Sequence, residues 1–448
     1  MKKKSLFLFR RDLRMEDNLG LTQALINSEI VIPCFIYDPV LLKNPNIGNF
    51  RWSFLNQSLK DLDYNLKSKK STLQIFVGNP SKVIENIILQ NKIESVFCNI
   101  DFSEYSKKRD EKILQICRKY KVQFNQYLDF LLHNPNEIKT NEGSPYLVYT
   151  HFFKKAKQYP IRKILKNNHN NYFQESISYQ KIRQSIKIDN GILGGREEGL
   201  RILKNLGNFQ NYLSSKDFPI HNTTMISPHI KFGNISVREV FNAVRDKLGA
   251  HHSLINQIYW REFFNHIFYH YPDSQYKSFK KKYRNIVWAK NKKHFNFWKI
   301  GKTGFPIVDA GMRELNSTGF MHNRIRMIAA SFLTKDLHID WVWGERYFSQ
   351  KLVDYDVAVN IGNWQWVAST GCDSVPYFRV FNPWRQQEKF DQECTYIKKW
   401  IPELSDLSPY QIHNLWKTRP SELNYPIPIV EHQIESIKSK EIFKKISD

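Results

Sequence analysis

Four short apolar runs near the start of the chain, at 5–9, 30–37, 73–77 and 95–100, alternate with segments of helical period at 19–27, 50–66, 81–90 and 109–120. No other feature narrows the fold as far. A chain that returns through a helix before each new strand pairs those strands in parallel, with right-handed crossovers that lay helices on both faces of the sheet. No Gly-x-Gly-x-x-Gly follows the first run, so a nicotinamide dinucleotide site is not indicated. Ligands of such sheets lie at the carboxyl ends of the strands.

The pattern changes twice. From 131 to 195 it weakens into a polar connection, with Asn, Lys and His filling 166–171. Beyond it, helical periods at 196–209, 236–248, 253–271, 305–316 and 322–335 run almost to the end. The expected fold class is therefore an α/β N-terminal Rossmann-like parallel-sheet domain (1–130), an interdomain linker (131–195) and an all-α C-terminal domain (196–448). A chain of 448 residues is long enough for two cores. No internal repeat is visible.

Lysine and arginine number 67 against 43 acids, a formal charge of +24. Such a surface attracts a polyanion, nucleic acid first. An AT-rich genome, whose codons favour Lys and Asn, gives the same composition without a partner, and charge alone leaves both readings open. The five cysteines, Cys34, Cys98, Cys117, Cys372 and Cys394, share no metal-ligand spacing, so no metal site is expected and the thiols read as reduced. The first apolar run breaks at Arg10-Arg11-Asp12, which is unlike a secretory leader, and no stretch approaches membrane-spanning length. A monomer in the cytoplasm is expected.

The densest chemistry lies between 354 and 366. Asp354 and Asp356 sit two apart, Asn360 follows four residues on, and Trp364 and Trp366 close the stretch. Tryptophan is ordinary core payload and also the side chain that gives up one electron most readily. A buried aromatic turn beside a satisfied acid pair and a redox site both fit these residues.

The stretch belongs to a longer series: Phe9-Arg10-Arg11-Asp12-Leu13-Arg14, Glu16-Asp17-Asn18, Trp260-Arg261-Glu262-Phe263, Thr303-Gly304-Phe305-Pro306, Asp309-Ala310-Gly311-Met312-Arg313 and Gly319-Phe320-Met321-His322-Asn323-Arg324. In this order, over nearly the whole chain, they resemble the photolyase/cryptochrome family, and most of all its bacterial class I cyclobutane pyrimidine dimer photolyases. The resemblance implies FAD in the helical domain. The residues matching the family's flavin contacts are Tyr212, Thr223, Thr224, Met225, Ile226, Ser227, Leu254, Arg261, Asn323, Arg326, Asp354, Tyr355, Asp356 and Asn360. Arg326 is placed to pair with Asp354, and Asn360 to face flavin N5. Trp364, Trp341 and Trp288 match an electron-transfer chain. A second, antenna chromophore of folate or deazaflavin type is implied for the sheet domain, the choice between them open.

For DNA, Lys216, Gln257, Trp260, Arg261, Asn323, Arg324, Trp366 and Gln386 match contacts to the strand or the lesion pocket, with Arg379 a further rim candidate. An extruded base needs stacking surfaces and edge hydrogen bonds. Gln257 stands where enzymes for cyclobutane dimers usually carry Glu. With Asn360, Asn323 and Met327 it completes the residues the resemblance places around the reacting groups. The implied activity is light-driven repair of cyclobutane pyrimidine dimers in UV-damaged DNA. The alternatives are a cryptochrome-like photoreceptor and a six-four photoproduct lyase.

Overall fold

A computed structural model describes residues 2–177, 181, 191–221 and 223–447. The chain divides into two compact units, Met1–Tyr146 with Thr150–Gln210 and Ile226–Pro272, and Leu147–Tyr149 with Asn211–Met225 and Asp273–Asp448.

The first unit is built on a five-stranded parallel sheet in the order β3-β2-β1-β4-β5, from β1 (Lys2–Phe9), β2 (Ser28–Tyr37), β3 (Gln74–Val77), β4 (Ser95–Asn99) and β5 (Gln123–Tyr127). Helices α1 (Leu19–Asn27), α2 (Asn49–Lys67), α3 (Pro80–Asn91) and α4 (Glu104–Lys119) make the crossovers. Leu6, Leu8, Ile32, Cys34, Val96 and Cys98 lie in one core with Ile84, Ile87 and Ile113. Strands buried on both faces read as unbroken apolar runs, and this is why four of them were legible. The fifth, Gln-Phe-Asn-Gln-Tyr at the sheet edge, is half exposed and polar, and carries no such run. Helix α4 begins five residues before its apolar period, because Ser103 Oγ accepts from Ser106 N and caps it.

Part of the 131–195 stretch extends the sheet. Tyr172 bridges Val31 in parallel, with Val31 N on Asn171 O and Phe173 N on Val31 O, both at 2.9 Å. Residues 178–180 and 182–190 of the expected linker lie outside the described residues. Several helices of the expected helical domain, the longest of them α5 (Val237–Leu248) and α6 (Ser253–His270), belong to the sheet's compact unit. Arg238 of α5 explains the attachment. It is buried, with Nε 2.7 Å from Asp17 Oδ2 and Nη2 2.9 Å from Asp129 Oδ1. Arg14 closes on the same Asp129. Removing one member of such a buried set strands the others.

The second unit is helical: α7 (Pro306–Thr318), α8 (Asn323–Ser331), α9 (Trp341–Lys351), α10 (Val357–Val367), α11 (Pro383–Phe390) and α12 (His432–Ser447) carry most of it. The helical period expected over 322–335 ends at Ser331 and continues as a π turn, Phe332–Asp336. The extra residue in that turn leaves Lys335 fully buried. No helix among the described residues is long and apolar enough to cross a membrane.

Candidate active site

Helix α10 organises the site in the second unit. Asp356 is its N-cap, accepting from Ala358 N at 3.2 Å and Val359 N at 3.4 Å. A carboxylate there offsets the unpaired N–H groups and positive end of the helix. Asn360 and Trp364 follow at intervals of four, so the three share one face. Asn360 is buried and donates Nδ2 to Glu345 Oε1 at 3.1 Å. Its Oδ1 takes no protein donor among the described residues. Glu345 also receives the Tyr355 hydroxyl at 2.9 Å. Trp364 is buried edge-on against Phe348, centroids 4.9 Å apart, and against Trp298 at 6.2 Å. That packing requires glycine at 344, since a Cβ there would lie 2.2 Å from the Trp364 ring.

Helix α8 faces the same chemistry. Arg326 donates Nε to Met321 O at 2.7 Å and Nη2 to Asp354 Oδ2 at 3.0 Å, with its guanidinium over the Phe320 ring. Asn323 Nδ2 meets Met327 Sδ at 3.7 Å one turn on. Arg324 is already engaged, 2.7 Å from Asp217 Oδ1 and over the Phe390 ring. Lys216 closes the short helix Tyr212–Ser215, and burial pushes the Tyr212 phenol up to about 12. Met225 holds a positive φ of 49°, a sharp turn at the end of the Thr223-Thr224-Met225 segment. Gln386 is half-buried, its Oε1 without a hydrogen-bond partner among the described residues. Trp366 is half-buried, and Arg379 lies on the loop before α11.

In the first unit, Ile226 and Ser227 open the short helix Ser227–Phe232 with Pro228 in its first turn. The helix ends at Gly233, φ +67°, where a Cβ would meet Arg11 O at 2.3 Å. On α6, Leu254 is buried and Gln257 exposed. The Trp260 ring packs on Phe264 at 5.5 Å and Phe263 at 5.8 Å. Arg261 Nη1 lies 3.1 Å from Glu262 Oε1, and the guanidinium stands over Phe130. Glu262 is fully enclosed. Burial pushes its carboxyl up to about 7, against the Arg261 charge and hydrogen bonds from Leu132 N and His133 N.

The three tryptophans expected as a relay all fall in the second unit. Trp364 and Trp341 are buried and Trp288 is half-buried beside Phe443, 6.4 Å between centroids. Two residues that sequence reasoning passed over stand against this set. Glu345 orients Asn360, and its position one turn into α9 beside Trp341 was the only signal. Trp298, fully buried with Nε1 on Ala329 O at 3.0 Å, is the indole in contact with Trp364. No group of three His, Cys, Asp or Glu among the described residues is arranged to hold a metal ion.

Known proteins give this geometry a context. A family profile described as the FAD binding domain of DNA photolyase matches residues 254–445, and one described as DNA photolyase matches 5–167. The deoxyribodipyrimidine photo-lyase of Alkalihalophilus pseudofirmus is 33% identical over 97% of this chain and 97% of its own length. An archaeal photolyase from Sulfolobus tokodaii, solved with two FAD molecules, superposes with a TM-score of 0.88 at 40% identity, covering 99% of this chain and all of that one. A bacterial class III photolyase from Agrobacterium tumefaciens superposes at 0.90 with 30% identity, over 100% and 98% of the two chains. With similarity at this level from end to end, and with the acid-capped helix, the buried amide and the arginine–aspartate pair all inside the stretch that matches the FAD binding domain, the chain belongs to the DNA photolyase family.

Proposed function

We propose that this protein is a deoxyribodipyrimidine photo-lyase that splits cyclobutane pyrimidine dimers in UV-damaged DNA, with FAD as cofactor. The observation that carries the reading is similarity to the Alkalihalophilus enzyme over 97% of each chain. The residues present fit FAD. Asn360 offers an acceptor that no protein donor uses among the described residues, and Arg326 with Asp354 offers a fixed, charge-neutral pair for a polar ring edge. Asp356, Tyr355, Asn323, Leu254 and Arg261 complete the proposed ring contacts. Tyr212 and Thr223 to Ser227 serve the phosphates, with hydroxyls and backbone N–H groups as donors.

Bound FAD in its reduced form supplies one electron on excitation by blue light and recovers it after the ring has opened, with no net redox change. The protein has the rest to do. Trp260 and Trp366 offer stacking surfaces for the extruded dimer, and Gln257 and Asn323 offer amides to the pyrimidine edges. Met327 lines the pocket without a titratable group. Trp364, Trp341 and Trp288 refill an oxidised flavin. Lys216, Arg324 and Gln386 meet the strand. Arg324 reaches a phosphate only as a pair with Asp217, which weakens its electrostatic share.

A second chromophore is proposed for the carboxyl ends of β1, β2 and β4, where Asp101 pairs with Arg11 and the Tyr105 hydroxyl donates to Asp38. Besides folate and deazaflavin, a second FAD enters the choice through the Sulfolobus relative. Chromophores released from the purified protein, separated and read by absorption, identify it. The protein is proposed to act as a cytoplasmic monomer. The deciding experiment is repair of an oligonucleotide carrying one defined cyclobutane dimer, in blue light and in the dark. Restored pyrimidines in the light only are expected, and no light-dependent change would overturn the proposal.

A further inference from the structure

Helix α6 has a second face. At about 100° per residue, Ile255 and Tyr259 point away from the side that carries Gln257, Trp260 and Arg261. On that other side, within the first unit, they close a cleft of about 530 Å³ with Lys157, Tyr159 and residues 161–164, Phe241 and Arg245 of α5, and His251. Its size is that of an ordinary small-ligand pocket. The lining holds five side chains that are or can become cations, Lys157, Arg162, Lys163, Arg245 and His251, and no carboxylate.

The cations differ in kind. Arg162 is fixed in place, 3.1 Å from Asp17 Oδ1 and 3.3 Å from Asp129 Oδ1, so its guanidinium is oriented before any ligand arrives. Arg245 shares its charge with the exposed Asp246 at 2.7 Å. Lys157 and Lys163 are exposed and have no ion pair among the described residues. The walls are aromatic and aliphatic. The Tyr259 ring is buried, set edge-on to Phe241 at 6.4 Å and to Phe153 at 4.9 Å, with Tyr159 and Ile161 alongside. A flat apolar body suits those walls and an anionic end suits the rim.

We propose that this cleft binds a nucleotide unit, an aromatic base carrying a phosphate, independently of the flavin and lesion sites. A free nucleoside monophosphate and a nucleotide of a DNA single strand share that chemistry. The site goes beyond the repair reading and does not depend on it, since none of its lining residues is assigned there.

The test uses the full-length protein with FAD bound, titrated separately with AMP, dTMP, a thymidine tetranucleotide, adenosine and inorganic phosphate. Binding is read by calorimetry. Either monophosphate should bind at least tenfold more tightly than adenosine and more tightly than phosphate alone. Preference for the tetranucleotide would identify a DNA strand as the source, and preference for the monophosphates a free nucleotide. The double variant Lys157→Glu, Lys163→Glu should weaken the preferred ligand at least tenfold while its FAD content and thermal midpoint stay at parental values. Trp260→Ala should leave that affinity within about twofold. Equal binding of AMP and adenosine, affinity unchanged in the double variant, loss of binding in Trp260→Ala, or no binding of any probe would each overturn the assignment.

Discussion

Arg326 and Asp354 meet across 28 residues of sequence, Nη2 to Oδ2 at 3.0 Å, and the arginine's other arm is tied to the Met321 carbonyl. The aspartate side chain is 6% exposed and the arginine 23%. Asp354→Ala leaves a guanidinium without its counter-charge in a mostly enclosed place. A fully buried pair broken this way costs about 3–5 kcal/mol, and the partial exposure of Arg326 brings the expected cost to about 2 kcal/mol. FAD bound per protein should fall below half of the parental value. Full flavin content in the purified variant would remove the pair from the cofactor site.

Glu345 accepts from both Asn360 Nδ2 and the Tyr355 hydroxyl. Glu345→Ala takes that acceptor from two enclosed donors, at about 1–3 kcal/mol, and should lower the thermal midpoint by several degrees. Glu345→Gln keeps an oxygen in place and should recover most of the loss. If the two variants melt together, the carboxylate's role is its charge and not its hydrogen bonds.

Trp288→Phe, Trp341→Phe and Trp364→Phe should each slow photoreduction of oxidised FAD. Repair by chemically reduced enzyme should persist in the first two, because the proposed relay feeds the flavin and not the lesion. The contact of Trp364 with Trp298 adds an expectation. Photoreduction remaining in Trp341→Phe should fall further in the double variant with Trp298→Phe. Transient absorption of the flavin measures both, and a parental rate in Trp288→Phe would direct the chain elsewhere.

Lys335 is fully buried, with Nζ 3.0 Å from Ser369 Oγ and 3.6 Å from the centre of the Phe443 ring. Burial pulls its ammonium down from 10.5 to about 7, helped by the Lys280 charge. Below pH 7 folding buries a cation that the unfolded chain keeps in water. Above about 10.5 neither state is charged. The penalty is thus complete below pH 7 and fades as pH rises toward 10.5. Lys335→Met should be more stable than the parent at pH 6.5, by up to about 5 kcal/mol less the lost contacts with Ser369 and Phe443. The two melting curves should converge near pH 10. A constant offset across that range would show that the ammonium is not the cause.

Fold and site were legible to different degrees, for physical reasons. Strands such as β1 and β4 are buried on both faces, so burial writes itself into the sequence as an apolar run. The edge strand β5 needs no such run and left no trace. The helical face of Asn323, Met327 and Arg326 could be counted from the period, but the π turn at Lys335 could not, because one inserted residue leaves the composition unchanged. Asp356 was legible as one of a close acid pair, though not as the cap of α10. Its neighbour Glu345 was not, because an acid on α9 reaches Asn360 only through tertiary packing. The cleft behind α6 was invisible for the same reason: Lys157, Lys163 and Arg245 are surface cations in the sequence and neighbours only in the fold.

The lesion should be the cyclobutane dimer and not the six-four photoproduct. Returning a hydroxyl or amino group between two bases needs a proton donor and acceptor beside the lesion, whereas opening a cyclobutane ring needs only an electron in and out. On α8 the two positions in question hold Asn323 and Met327, in contact at 3.7 Å, and neither an amide nor a thioether moves a proton at neutral pH. The adjacent His322 is committed elsewhere. It is the N-cap of α8, its Nδ1 accepts from Arg324 N at 3.2 Å, and burial pushes its imidazolium down to about 4, so it is neutral at working pH. Gln257, exposed on α6, can hydrogen-bond to a pyrimidine edge in both directions but carries no carboxylate. Gln257→Glu should keep or raise the repair yield per photon on cyclobutane dimers, by up to a few-fold, and His322→Gln, which preserves an acceptor for the cap, should leave it within about twofold. Two oligonucleotides, each with one lesion type, lit in parallel and analysed by mass and chromatography, decide the matter. Restored six-four lesions beside untouched cyclobutane dimers would reverse the assignment, and a collapse of dimer repair in His322→Gln would mean that a proton is moved after all.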